Sequence, residues 1–125
     1  MSESLLLIGG IYSLVFAVFH LLFWQIFDWK NDLAKLSSIN RAIMQVINLC
    51  LALVFVIFGM LSLRYRAQML ETELGRALTA MIAFFWFLRA IEQIIFFKLK
   101  KGISWLFLFI FLGGTSLYAV ALFAG

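Results

Sequence analysis

Four apolar runs, each longer than about 18 residues, divide this chain and leave it little choice of fold. The first covers about Leu5 to Phe27 and the second about Ile39 to Leu63. The third covers about Ala77 to Phe97 and the fourth about Ile103 to Phe123. At a rise of about 1.5 Å per residue, each run reaches across a hydrocarbon layer of about 30 Å. None shows the two-residue alternation of a membrane β-barrel strand. The pattern predicts an all-α integral membrane protein, with four transmembrane helices in one domain over residues 1–125.

Composition supports that class. Of the 125 residues, 66% are hydrophobic, and mean hydropathy is +1.09. Ordinary soluble domains hold about 45–50% apolar residues. A water-soluble fold of this length could not hide the excess.

The connections are short and carry turn and cap signals. Residues 28–38 form the first, with Ser37 or Ser38 placed to cap the second helix. Residues 64–76 form the second loop, where Thr72 followed by Glu73 reads as a cap with an acid in the first turn. Residues 98–102 make a tight third turn ending in Gly102. Short links between long helices predict antiparallel neighbours in an up-down-up-down bundle.

Charge sets the expected orientation. Lys30, Lys35, Arg41, Lys98, Lys100 and Lys101 fall on one side, and Arg64, Arg66 and Arg76 on the other. The excess of Lys and Arg places the first and third connections in the cytoplasm and both termini extracytoplasmic. The opening Met-Ser-Glu-Ser lacks the basic region of a signal peptide, so the first run is expected to stay in the protein. Net charge is +4, but these basic residues serve orientation, and no nucleic-acid partner is expected. Cys50 stands alone in an apolar run, which leaves no disulfide and no metal-ligand spacing.

The polar residues inside the runs are the candidate functional residues. Arg89, Glu92 and Gln93 interrupt the third run, where a charge costs about 2.5–3.5 kcal/mol on insertion scales. Spacings of three and four put them on one helical face. His20 lies in the cytoplasmic half of the first run, and Gln45 and Asn48 lie in the same half of the second. Three helices thus bring polar groups to one depth. Ser13, Ala17, His20, Trp24 and Asp28 form one stripe, and Arg41, Gln45, Asn48 and Ala52 a second. The expected network joins His20, Asn48, Arg89 and Glu92.

Its expected work is to bind a small ligand, a lipid head group or an ion, with Glu92 as the titrating group and Arg89 as its partner. Transport would require an oligomer, because four helices rarely enclose a pathway alone. The alternative is a non-catalytic membrane partner or scaffold whose polar cluster only fixes helix packing. No catalytic constellation, metal site or cofactor motif is seen. The expected partners are the lipid bilayer and either a second copy or another membrane protein. Gly113 and Gly114 in the fourth run are expected to pack closely, against the first helix or against a second copy.

Cysteines introduced as Ser2→Cys and Lys100→Cys should label from opposite sides of the membrane with an impermeant reagent. Labelling of Lys100→Cys from outside and Ser2→Cys from inside contradicts the charge argument.

Overall fold

The computed structural model describes residues 1–124, and its regular elements are all helical. Helix α1 is Ser2–Leu21, α2 is Phe23–Ile26 and α3 is Trp29–Asp32, followed by a 3-10 turn at Leu33–Lys35. Helix α4 is Ser38–Arg64, α5 is Arg66–Glu71 and α6 is Glu73–Glu92. The end of α6 widens into a π turn at Gln93–Phe97, and α7 is Gly102–Ala124. Four segments are long and apolar enough to cross a membrane: Ser2–Leu21, Ser38–Arg64, Glu73–Phe97 and Gly102–Ala124.

The caps read from the sequence are in place. The Ser37 hydroxyl accepts the Asn40 N–H at 3.3 Å, and the Thr72 hydroxyl accepts the Gly75 N–H at 2.9 Å. Each satisfies one of the N–H groups that a helix start leaves without a partner. Arginines hold other ends. Arg41 donates to the Leu33 and Leu36 carbonyls and pins the first connection to α4. Arg76 donates to the Leu122 carbonyl at 3.1 Å, in the last turn of α7.

Three expectations change. The first helix does not run unbroken to Phe27: it opens at Leu22, and Asp28 then takes a left-handed conformation, φ 51°. The second connection is not an open loop but contains α5, whose Met69 is 2% exposed. Thr79 in α6 donates to the Met69 carbonyl and so ties α5 down. The third run keeps its length but ends in the π turn, and Lys98 follows with φ 60° and ψ 164°. That backbone region is close to glycine-only, so strain is concentrated at this residue.

Helix α1 packs on α4 and on α7, and α6 packs on α7. Helices α4 and α6 meet chiefly through rings, with Phe55 and Phe58 lying 5.6 and 5.1 Å from Phe85. The centre is Trp86, fully buried among Phe16, Tyr12 and Phe55 at 5.0 to 5.3 Å between ring centroids. Offset and edge-on pairs of this kind contribute about 0.5–1.5 kcal/mol each beyond area burial.

Small residues decide how near the backbones come. A Cβ on Gly59 would lie 2.6 Å from the Leu14 side chain and 3.1 Å from the Gly10 carbonyl oxygen. The α1–α4 approach therefore depends on that missing atom. A Cβ on Gly114 would lie 2.8 Å from the Trp86 ring, so Gly114 faces α6 rather than α1 or a second copy. Gly113 has more room: its Cβ would meet only the Tyr12 hydroxyl, at 3.8 Å. The close α1–α7 contact lies elsewhere, where Gly9 faces the Tyr118 ring.

Gly114→Leu should lower the melting temperature in detergent, with an overpacking cost of about 1–3 kcal/mol, while Gly113→Leu should stay nearer the parent. Equal losses would show that Trp86 does not set the difference.

Candidate functional site

Several polar residues of the four long helices are buried or half-buried inside the bundle, but not in one network. They form three groups, each joining a different set of helices.

The first group joins α1 and α4. Asn48 is 9% exposed and donates its side-chain N–H to the His20 carbonyl at 2.8 Å. Its oxygen therefore faces His20 Nδ1, also at 2.8 Å, as acceptor. With the amide so oriented, Nδ1 carries the proton, and Nε2 of the neutral ring keeps its lone pair. The imidazole is held flat against Phe23, 4.3 Å between ring centroids, and is flanked by Phe55 at 5.2 Å.

A cleft opens beside this pair. The break at Leu22 and the left-handed turn at Asp28 fold the chain back, so that Trp29 lies 5.5 Å from Phe23 and 6.5 Å from Trp24. The Asn31 side-chain amide donates to both Asp28 carboxylate oxygens, at 3.1 and 3.0 Å, and supports the turn. Leu21, Trp24, Trp29, Gln45, Asn48 and Leu49 then border a partly open cleft of about 120 Å³. The Gln45 amide nitrogen donates to the Arg41 carbonyl at 3.2 Å. Its oxygen has no protein partner among the described residues, while Asn48 supplies a floor fixed by His20. A larger groove of about 410 Å³ lies along α6, but Ala80, Met81, Phe84, Phe85 and Leu88 give it no polar side chain.

The second group joins α6 and α7. Arg89 Nη2 donates to the Gln93 side-chain oxygen at 3.2 Å. Gln93 is 4% exposed, and its N–H groups reach the Ser104 hydroxyl at 3.0 Å and the Ser104 carbonyl at 3.4 Å. Ser104 in turn donates to the Lys98 carbonyl, just beyond the π turn. The guanidinium lies over Phe111 at 4.4 Å and near Phe97 at 5.2 Å. It thus runs toward the C-terminal end of its helix. Its Nη1 is buried without a hydrogen-bond partner.

Glu92 does not complete this group. It is half-buried, and among the described residues the one ion pair is Lys35 with Asp32 at 3.7 Å, on the exposed first connection. Arg89 turns instead to the residue four positions on and to two aromatic faces, which suit a planar cation. The expected four-residue network is accordingly divided. His20 and Asn48 bond to each other, Arg89 bonds to Gln93, and no hydrogen bond joins the two sets.

A third group was not anticipated from the sequence. The Tyr118 hydroxyl lies 2.7 Å from the Ser62 hydroxyl and 3.3 Å from that of Ser13, and all three residues are fully buried. Ser13 is also bonded to the Gly9 carbonyl at 2.9 Å. One hydroxyl on α7 thereby links α1 and α4. The available signal was the placement of Gly9 and Gly59 four and three residues before Ser13 and Ser62. Small residues at such spacings line the tightest helix contacts, where a buried hydroxyl needs a partner.

Comparison with protein-family models, with curated proteins and with solved structures gives no match. The functional reading therefore rests on the arrangement itself. The arrangement offers a polar-lined cleft, with an aromatic wall, a fixed amide floor and a spare acceptor on Gln45.

Proposed function

We propose that this chain is an integral membrane protein of four antiparallel spans, arranged up-down-up-down, that binds a small ligand or lipid head group in the cytoplasmic half of the membrane. The cleft of about 120 Å³ beside His20 and Asn48 carries this reading. Ligand sites combine apolar and aromatic walls with a few placed polar groups, and this cleft has both. The surplus of Lys and Arg on the first and third connections supports a mouth on the cytoplasmic side and both termini outside. Trp24 and Trp29 sit where an interfacial aromatic belt is expected.

The polar groups divide the work under this reading. His20 and Asn48 fix the floor, and Gln45 supplies the acceptor that the ligand meets. Arg89, Gln93 and Ser104 hold α6 to α7 and leave the Arg89 Nη1 group unmatched nearer the bundle interior. Passage of the ligand across the membrane would require a second copy, because the aromatic core fills the centre of a single bundle.

A second reading has its own support. The reciprocal His20–Asn48 bonds and the Gln93–Ser104 bonds are satisfied without any ligand. A scaffold or partner subunit that uses polar groups only to fix helix packing would show the same bonds. Such a protein has no use for the open acceptor on Gln45.

Native mass spectrometry of protein released gently from its membrane separates the two. The parent should retain one small-molecule or lipid adduct per chain, and Trp29→Ala, which removes a cleft wall, should lose it. A parent without an adduct, or an adduct indifferent to Trp29→Ala, would favour the scaffold.

A further inference from the structure

The side chains facing the cleft are two indoles, two carboxamides and two leucines, and none is charged. This set is selective. The face of an indole carries negative potential, attracting cations and repelling anions. Trp24 and Trp29 meet edge to face at 76°, and both line the cleft. No Lys or Arg lines the space to neutralise an anion. The Gln45 oxygen is an unused acceptor, because the amide nitrogen is committed to the Arg41 carbonyl. Asn48 also keeps one acceptor lone pair beyond the His20 bond. The walls and the floor both ask for a cation that donates hydrogen bonds.

Hydrogen bonding narrows the choice. The cleft is partly open, so only the head of a ligand has to fit it. A primary ammonium at the end of an aminoethyl ester arm carries three N–H donors. A trimethylammonium head has no N–H for Gln45. The N–H groups of Trp24 and Trp29, unmatched within the protein among the described residues, suit ester and phosphate oxygens that follow the arm. Lys30, exposed and next to Trp29 in the chain, adds a positive charge on the water side.

We propose that the cleft of Trp24, Trp29 and Gln45 binds the primary ammonium head of an ethanolamine phospholipid. This rests on the reading of the cleft as a ligand site and adds the identity of the ligand. The ammonium sits against the indole rings and donates to Gln45, the phosphate stays outside, and the acyl chains lie along the bundle. Association is reversible, and no covalent step is involved.

The test uses the purified full chain in detergent with dioctanoyl lipids bearing ethanolamine, choline or glycerol head groups, and with free ethanolamine. Tryptophan emission and native mass spectrometry report binding. The ethanolamine lipid should bind about tenfold more tightly than the choline lipid, and free ethanolamine far more weakly than either lipid. Gln45→Leu should weaken the ethanolamine lipid about tenfold, the effect of one charge-assisted hydrogen bond. Trp29→Leu should weaken it about fivefold, in line with one exposed cation–π contact. Gln45 lies on the outer part of α4, so Gln45→Leu stays informative if Trp29→Leu disturbs the turn. Equal affinity for ethanolamine and choline lipids, or no effect of Gln45→Leu, overturns the ammonium assignment. Preference for the glycerol lipid that Trp29→Leu abolishes overturns the ligand class and leaves the cleft reading standing. Free ethanolamine binding as tightly as its lipid overturns the lipid and keeps the amine. Lipid binding that neither variant alters overturns both the assignment and the site.

Discussion

The paired hydrogen bonds between His20 and Asn48 are the contact on which the α1–α4 end of this structure, beside the first connection, depends. In hydrocarbon, a carboxamide or imidazole without a partner is expensive, and water is not there to supply one. Asn48 spends both ends of its amide on one residue of α1, taking the carbonyl and the ring together. That fixes the rotation of α4 about its own axis. With the rotation fixed, Gln45, one turn earlier, faces the space beside Leu21 and Trp24, and Arg41, another turn earlier, reaches the Leu33 and Leu36 carbonyls. The turn carrying Trp29 is then held against the same face. The cleft follows from the clasp together with the Asp28 turn that Asn31 supports.

The same requirement orders the rest of the bundle. Tyr118 solves it by placing one hydroxyl where Ser13 and Ser62 both reach it. Gln93 solves it through Ser104, and the π turn lets that side chain stay buried as α6 ends. The Tyr118 link lies beside tight packing sites. Gly59 sits one turn before Ser62, and Gly9 faces the Tyr118 ring. Interhelical hydrogen bonds of this kind average about 0.6 kcal/mol and reach about 1.7 kcal/mol. They choose among packings that dispersion alone would leave close in energy. Trp86 supplies much of that dispersion, and Gly114 makes the room for it.

How much of this was legible in the sequence depends on the physics behind each feature. The four spans were, because length and hydropathy decide them locally; so were the Ser37 and Thr72 caps, where the acceptor and its N–H lie within one turn. Which polar residues would turn inward was also legible for Asn48 and Gln93. Their partners were not. His20, Asn48, Arg89 and Glu92 share a depth, but helix rotation is set by contacts such as Gly59 on Leu14, which periodicity does not contain. Arg89 and Glu92 have ideal spacing for an ion pair, yet the guanidinium prefers Gln93 and two ring faces. Tyr118 gave no signal, because a tyrosine in an apolar run reads as one more aromatic. Gly114 packs against Trp86 of α6, a neighbour that spacing within the fourth run does not disclose. Helix α5 was missed because the charges at Arg66, Glu71 and Glu73 mask one buried residue, Met69.

The most direct measurement is a double-mutant cycle on the clasp itself. His20→Phe, Asn48→Leu and the combined variant are unfolded reversibly in detergent micelles alongside the parent. If the two side chains hold α1 to α4 as described, each single change strands a polar partner, and the pair is coupled by about 1 kcal/mol or more. Costs that add to within about 0.3 kcal/mol would mean that His20 and Asn48 do not meet, and would remove the floor from the proposed site.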